Sequence, residues 1–422
     1  MRRICGICAV CVLSAAAAAA QTVLTADSAV ESALEHNISI ERSALSLQGL
    51  ERAKNHSWNS MLPSVSAGAD LNMPNKRDAY DFSVSGTVSA GITFSPGLIS
   101  TINTASVAYE AGQLSYRDAC RAVELAVRES FYALLYEQAY IEQQERMLET
   151  ARQQYEQNLR QYNAGRISEL DVLTAQVEYE RLKPELENAR ITFMNDMDAF
   201  KVLIGFGAEE EIILDGSLDS LLSVPEISLA GIEIAPPSVE TLEKSLESAQ
   251  ASLTASRLSA YAPDLSVSWN YNPGAANTDF SQWNDGGYLS VSLSLPIDSW
   301  LPWSKAADTV ADAKDAVTDA ALALEDERQQ TANEIVSYLR QIEQSRSSIV
   351  SCQANVELAQ KSYDLALEAY ERGARDFLSL QNASDTLFEA QVSLLSAAYQ
   401  LGVQILQLEN AAGVPFGTFI VQ

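Results

Sequence analysis

The amino-acid sequence is duplicated, and this duplication constrains the fold more than any other feature. Four groups of landmark residues recur in the same order, first 200 and then 208 positions further along the chain. The duplication predicts two similar structural units, because each copy carries the same local preferences. The paired landmarks are Leu62–Ser66 with Ala262–Ser266, Pro96 with Pro296, Tyr162, Gly165 and Leu170 with Tyr370, Gly373 and Leu378, and Gly205 with Gly413.

Each half contains two runs in which apolar and polar residues alternate strictly. They predict strands at about 63–72 and 82–94 in the first half, and at about 264–272 and 288–295 in the second. Alternation with a period of two gives a strand one apolar and one polar face. The polar faces carry Ser, Thr, Asn and Gly, as the lining of a water-filled lumen does. We interpret the runs as membrane-spanning strands; the alternative is a pair of hairpins on a soluble core.

A membrane sheet of four strands requires partners. Inside hydrocarbon every backbone N–H and C=O must be paired, so the sheet must close into a barrel. Four strands cannot close around an open lumen, whereas three copies of the chain supply about twelve strands under cyclic symmetry. The sequence therefore predicts a homotrimer with a 12-stranded β-barrel in lipid.

Most of the remaining sequence has the pattern of long helices. A proline-free run at about 101–162 is matched by a second at about 305–371. Apolar residues recur there at three and four positions, which favours antiparallel coiled coils. Return helices are expected at about 168–203 and 376–410, and Pro184 is expected to kink or divide the first. The predicted fold class is mostly α with a transmembrane β part, built from a duplicated helix-strand-strand-helix-helix unit.

The N-terminal segment 1–20 has the pattern of a secretory signal peptide. Arg2 and Arg3 precede a short apolar stretch, and small residues follow up to Ala20. Lipidation is not expected, because no Leu-small-small run precedes the cysteines of this segment. The predicted divisions that follow are a first repeat at 21–205, a connector at 206–237, a second repeat at 238–413 and a C-terminal tail at 414–422.

Charge and motif content exclude several classes of function. The chain has 28 basic and 56 acidic residues, a net charge of -28, which argues against binding to nucleic acid. His36 and His56 are the two histidines, and neither has a Cys or acidic ligand at metal spacing. The sequence contains no phosphate-binding glycine loop and no nucleophile motif. We therefore expect no enzymatic activity, no cofactor and no metal.

The chain resembles the TolC-like outer-membrane efflux proteins, also called outer-membrane factors, over essentially its whole mature length. The resemblance rests on the duplicated order of elements and on two turn signatures, Tyr162–Leu173 and Tyr370–Leu378. It implies a trimer whose 12-stranded barrel in the outer membrane continues into a 12-helix α-barrel in the periplasm. It also implies passive conduction of substrates that an inner-membrane transporter and a periplasmic adaptor deliver. The alternative is a non-conducting coiled-coil scaffold in the periplasm or at the cell surface.

In this family the glycine turns form the periplasmic tips of the hairpins and contact the adaptor. The alternative is that the turns are structural only. A glycine here supplies the left-handed conformation that reverses a helix. Carried over by motif, the docking residues are Gly165, Arg166, Ile167, Ser168 and Leu170 at the first tip, and Gly373, Ala374, Arg375 and Leu378 at the second.

The family's entrance is often narrowed by aspartates six and nine positions beyond the second glycine. This chain has Ser379 and Asn382 at those positions. Asp171 lies six positions beyond the first glycine, and Asp376 lies three beyond the second. A ring of three carboxylates would attract cations at a pore entrance. For Asp171 the alternative is stabilisation of a helix N-terminus by a negative charge.

Overall fold

The computed structural model describes residues 22–73, 83–207, 209–223, 227, 234–275 and 283–419. The predicted signal peptide and the first residue of the second predicted strand lie outside these ranges. The first half comprises β1 (Thr22–Leu24), α1 (Ala26–His36), α2 (Ile38–His56), a 3-10 helix (Ser57–Met61), β2 (Ser64–Asn72), β3 (Ser83–Phe94), α3 (Pro96–Asn163) and α4 (Glu169–Ile204).

A connector and a second half follow in the same order. The connector contains β4 (Ile212–Leu214) and a 3-10 helix (Leu218–Ser223). The second half comprises α5 (Pro237–Tyr261), β5 (Asp264–Tyr271), β6 (Gly274–Ala275), β7 (Trp283–Asn284), β8 (Gly287–Ser294), a 3-10 helix (Ile297–Trp300), α6 (Lys305–Glu371) and α7 (Phe377–Ala412).

The long helices α3 and α6 contain 68 and 67 residues. At a rise of 1.5 Å per residue each extends roughly 100 Å. Ser95 caps α3 by accepting a hydrogen bond from the Gly97 amide, and Pro96 occupies the first turn, where the missing N–H costs nothing. Ser304 caps α6 in the same way through the Ala307 amide. Within the described residues, no helix is both long and apolar enough to cross a membrane.

Pro184 does not divide the first return helix, contrary to one of the outcomes expected from the sequence. The helix α4 runs without interruption from Glu169 to Ile204. Ion pairs bracket the turn that lacks the proline N–H: Arg181 contacts Glu185 at 2.6 Å, and Lys183 contacts Glu180 at 2.8 Å. These local pairs help to stabilise the helix across the missing hydrogen bond.

The four long strands form one antiparallel sheet in the order β2-β3-β5-β8. Its register places residues of one kind side by side on each face. One row across the sheet is Val65, Ala90, Trp269 and Leu289. On the other face, serine hydroxyls of neighbouring strands are 2.7 Å apart, at Ser66 with Ser89 and at Ser266 with Ser292. The short β6 and β7 extend this sheet beside β3.

The best-buried core lies where the connector packs against the helices. It includes Phe131 of α3, Phe200 of α4, Leu221 of the connector and Ile405 of α7, each at most 2% exposed. The strand β1 pairs in parallel with β4 of the connector, which the sequence pattern did not indicate. Strands of three residues carry too little periodicity for detection.

Two helical hairpins extend from this core. In one, α3 packs against α4, and in the other α6 packs against α7. Beyond the core, towards the sheet, α2, α3, α5 and α6 lie side by side, with α3 between α2 and α5, and α5 between α3 and α6. Each hairpin turn therefore lies at the opposite end of its long helix from the sheet.

Candidate functional site: the two hairpin tips

Each hairpin reverses direction at a glycine in the left-handed conformation. Gly165 has a φ of 71° and Gly373 a φ of 70°. At the first turn, the Arg166 amide donates to the Gln161 carbonyl at 2.9 Å, and at the second the Ala374 amide donates to the Ala369 carbonyl at 2.8 Å. These bonds satisfy carbonyls at the helix end, as left-handed caps do. The two predicted tips thus have one backbone geometry.

The first tip is closed by a capping box between Ser168 and Asp171. The Asp171 amide donates to the Ser168 hydroxyl oxygen at 3.3 Å, and the Ser168 amide donates to the Asp171 carboxylate at 3.2 Å. The serine hydroxyl also donates to this carboxylate at 2.7 Å. Such reciprocal bonds satisfy free amides at a helix start. The geometry supports a capping role for Asp171, the alternative to an entrance role.

At the second tip Asp376 is itself the N-cap of α7. Its carboxylate accepts a hydrogen bond from the Ser379 amide at 3.1 Å and another from the Ser379 hydroxyl. These hydrogen bonds, the hydroxyl's first, hold the pKa of the exposed Asp376 carboxyl below its usual value. Ser379, one of the entrance candidates, is thereby committed to the cap, whereas Asn382 is exposed one turn further along.

A single buried amide joins the two hairpins beside the tips. Asn158 of α3 is fully buried, and its side-chain nitrogen donates to the Asp171 carbonyl at 3.3 Å. Its side-chain oxygen accepts a hydrogen bond from the Tyr370 hydroxyl of α6. A second link lies further along, where Gln381 of α7 donates to Glu178 of α4 at 2.9 Å. Sequence reasoning missed Asn158; an Asn within an apolar stripe was the available signal.

The surface of the tips is partly apolar and partly basic. Leu170 and Leu378 occupy equivalent positions and are 72% and 56% exposed. Arg166 and Arg375 are exposed beside them, whereas neighbouring Phe377 is buried. The remaining docking candidates Ser168 and Ala374 are exposed, and Ile167 is half-buried.

Each tip therefore presents one exposed leucine and one exposed arginine to solvent. Across the described ranges, no group of three or more His, Cys, Asp or Glu side chains is arranged to hold a metal ion.

Comparison with known proteins agrees with this architecture. The family model for outer membrane efflux proteins matches residues 29–204 and 234–414. The outer membrane protein TolC of Vibrio cholerae is 23% identical over 85% of this chain and 83% of its own length. Among solved structures, the V. cholerae outer membrane protein VceC aligns with a TM-score of 0.75 at 16% identity, over 93% of this chain and 96% of that one. The Campylobacter jejuni outer membrane channel CmeC aligns with a TM-score of 0.76 at 17% identity, over 92% and 85%.

The chain belongs to the outer membrane efflux protein family. The protein therefore lies in the outer membrane with its helical part in the periplasm. The resemblance drawn from the duplicated turns and the fold class, mostly α with a transmembrane β part, are both confirmed.

Proposed function

We propose that this chain is the passive outer-membrane exit channel of a tripartite efflux or type I secretion system. Three copies would form the pore, a periplasmic adaptor would bind the hairpin tips, and an inner-membrane transporter would supply the energy. The observation that carries this proposal is the sheet, which is amphipathic across all four strands and, in the described part of the chain, is open at both edges.

The open edges support assembly with other copies. Within the described residues, β2 pairs with β3 and β8 pairs with β5, so each outer strand leaves one edge unpaired. All nine residues of β2 are exposed. An unpaired edge is costly in lipid, because nothing there replaces water as a hydrogen-bond partner. Pairing of β8 with β2 of the next copy would close a barrel of about twelve strands around three copies.

The two faces of the sheet support a lipid exterior and a wet interior. The apolar row exposes Val65 to 72%, Trp269 to 44% and Leu289 to 68%. Large apolar side chains in a continuous exposed patch require an apolar partner, and the acyl chains of a bilayer supply one. The opposite face carries the paired serine hydroxyls, which suit contact with water. A soluble scaffold would gain nothing from this arrangement.

The position and chemistry of the tips support the adaptor contact. They lie at the end of the hairpins furthest from the sheet, where a partner from the inner membrane would arrive. Leu170 and Leu378 are largely exposed there. Asp171, Asp376, Ser379 and Asn382 are the candidates for narrowing the entrance, with Asn382 the one left outside the caps.

Conductance measurements distinguish the channel hypothesis from the scaffold hypothesis. The purified protein, added to planar lipid bilayers, should give stepwise conductance and run on gels as a trimer that heat dissociates. A soluble monomer that never conducts would support the scaffold and reject the channel.

The adaptor contact has its own test. The double variant Leu170→Asp and Leu378→Asp should conduct normally yet lose the adaptor and transporter that co-purify with the wild-type trimer. Val177→Asp, at a 68% exposed site two turns along α4, is the matched control and should retain both. Retention of the adaptor by the double variant would reject docking at the tips.

A further inference from the structure

Among the described residues, the four helices that lie side by side beneath the sheet leave two faces uncovered, one at each end of the row. α2 packs on α3 through one side of its surface, and α6 packs on α5 in the same way. The half-buried or buried positions that define these packed sides are Ile40, Ser43, Leu47, Leu50 and Lys54 on α2, and Val310, Ala313, Val317, Ala320 and Leu324 on α6.

The uncovered face of α6 is acidic. Positions two residues on from the packed side lie on roughly the opposite face, because each residue turns the helix by about 100°. The side chains at these displaced positions of α6 are all exposed. Like charges at this spacing repel one another, so the stripe favours a cationic neighbour. This acidic stripe consists of Asp308, Asp312, Asp315, Asp319, Leu322 and Asp326.

The uncovered face of α2 carries two arginines, a histidine and exposed apolar side chains, together with exposed Glu41, which lies three residues from Ile38 and four from Leu45. The same displacement from its packed side gives a basic stripe of Ile38, Arg42, Leu45, Gly49, Arg52 and His56, exposed except at the half-buried glycine. Ile38 is 72% exposed and Leu45 is 63% exposed. Among the described residues, the ion pairs of α2, α3, α5 and α6 use neither these two arginines nor the aspartates of the acidic stripe.

We propose that the acidic stripe of α6 packs on the basic stripe of α2 in the next copy of this chain. The proposal rests on the trimer put forward above and identifies the side chains that join its helices. Because the charges at the two ends of the row are opposite, α6 meets α2 favourably, whereas α6 meeting α6 is repulsive. A head-to-tail contact of this kind closes a ring.

The duplication fixes the register of this seam. Its counterpart inside the chain is the antiparallel contact of α3 with α5, where the Thr241 hydroxyl donates to Asp118 at 2.8 Å. α3 ends at Asn163 and α6 at Glu371, so α3 positions recur 208 residues later. The packed positions of α2 recur on α5 199 residues later, Ile40 as Val239 and Leu47 as Leu246, which is one residue fewer than the offset of 200 for the strands that follow. Asp118 with Thr241 therefore corresponds to Asp326 with Arg42 of the neighbouring copy.

A second ion pair follows from the same register. Val107 of α3 and Ala251 of α5 are 6% and 7% exposed, and they lie 11 and 10 residues from the bonded Asp118 and Thr241, so the antiparallel register brings them together. Their counterparts are Asp315 and Arg52. One ion pair of the internal contact, Arg117 with Glu240 at 2.5 Å, corresponds to the acidic residues Glu325 and Glu41. Glu325 and Glu41 repel each other, so attraction across the seam comes from Arg42 and Arg52, with His56 near Asp308 and Asp312.

Cysteine cross-linking tests the register. In the full chain in outer membranes, Arg52→Cys with Asp315→Cys should form a disulfide that makes the oligomer resistant to heat until it is reduced. The control pair is Arg52→Cys with Asp326→Cys, whose second site lies about 16 Å further along α6, beyond disulfide reach. We expect about tenfold more cross-linked product from the first pair, above the background of wild-type Cys120 and Cys352. Equal cross-linking of both pairs would overturn the register.

Charge reversal tests the attraction. Arg52→Glu should lower the temperature at which the trimer dissociates, and adding Asp315→Lys should restore it. If the trimer forms and conducts while neither the cross-link nor the rescue occurs, the seam is wrong and the channel proposal stands. If the wild-type chain forms no trimer, the channel proposal itself fails.

Discussion

The two helical hairpins share one backbone and differ in where they place their charges. At the first tip Ser168 caps the return helix and Asp171 stands three residues on; at the second, Asp376 caps and Ser379 stands three residues on. Both arrangements supply the oxygen that the free amides at a helix start require. Duplication has therefore kept the cap and exchanged its two residues.

The middle of the two hairpins also differs in where charged side chains are placed, and here the difference affects ionisation. Glu137 of α3 faces Asp196 of α4, and the equivalent residues 208 positions later are Ser345 and Gln404, joined by a hydrogen bond of 2.8 Å. Burial, with the hydrogen bond and charge of Asp196, raises the pKa of Glu137 to about 7. The second hairpin therefore has a neutral hydrogen-bonded pair at the position where the first hairpin has two interacting carboxyl groups. At the exposed tips a serine and an aspartate both supply a cap, whereas a half-buried charge changes the ionisation of its neighbour.

The largest expected effect is at the end of α7, where the two hairpins carry residues of opposite charge. Glu409 is fully buried and accepts hydrogen bonds from the Gly417 and Phe419 amides, both at 2.9 Å. Its counterpart on α4 is the cation Lys201. Glu409→Leu should destabilise the protein by about 2 to 3 kcal/mol, because the buried Phe419 amide and the exposed Gly417 amide both lose their acceptor. Thermal unfolding in detergent measures the shift.

Glu389→Gln on the exposed side of α7 is the control for this variant, and should change stability by under about 0.5 kcal/mol. A Glu409→Leu midpoint equal to that of the control would show that the tail does not depend on this carboxylate.

Alanine at either turn glycine should have the next largest effect. Gly165→Ala and Gly373→Ala should each cost about 1 to 2 kcal/mol, because an L side chain disfavours the left-handed conformation. The cost should be equal at the two tips, since a Cβ at either position meets nothing within 4 Å. Circular dichroism melts of the two variants measure it. Unequal losses would show that the surroundings of the tips differ in more than side-chain identity.

The exchanged caps predict a smaller effect. Asp376→Ala should cost about 1 kcal/mol through loss of the N-cap. The double variant Ser168→Asp with Asp171→Ser, which gives the first tip the cap of the second, should be nearly neutral. Thermal midpoints of the two variants provide the comparison. A double variant as unstable as Asp376→Ala would mean that the two caps are not interchangeable.

The carboxyl pair predicts the smallest effect, a dependence of stability on pH. With its pKa raised to about 7, Glu137 holds a proton in the folded protein that it lacks when unfolded, so its contribution is present at low pH and is lost as pH rises through 7. The size is modest because solvent screens a half-exposed group. Melting temperatures between pH 5 and pH 8 should fall more steeply for wild type than for Glu137→Gln. Parallel slopes would exclude this pair as the source.

The parts of the fold that could be predicted from the sequence are those that a local residue pattern determines. The strand expected at 264–272 is observed as Asp264–Tyr271, and the helix expected at 305–371 as Lys305–Glu371. Strict alternation and a long proline-free periodicity are properties of neighbouring residues, so sequence alone reveals them. The turn glycines Gly165 and Gly373 were equally visible, because a left-handed position has a narrow choice of residue.

What could not be predicted depends on contacts between distant segments. Asn158 joins residues of two other helices, and Glu409 binds amides of the tail; neither leaves a local periodic signal. The capping roles of Asp171 and Asp376 also required coordinates, because a carboxylate near a helix start fits a cap and a pore entrance equally well in sequence. Adaptor docking and the entrance role of these tips stay predictions.

Asn158 also has a mechanical consequence. Its one side chain is bonded to the start of α4 and to the end of α6, and it is closed to water. Moving either hairpin away from the other would break a hydrogen bond of this amide and leave a buried polar atom without a partner, at a cost of about 1 to 3 kcal/mol. This free energy couples the tilt of one hairpin to the tilt of the other, so small motions of the two hairpins in one subunit are concerted.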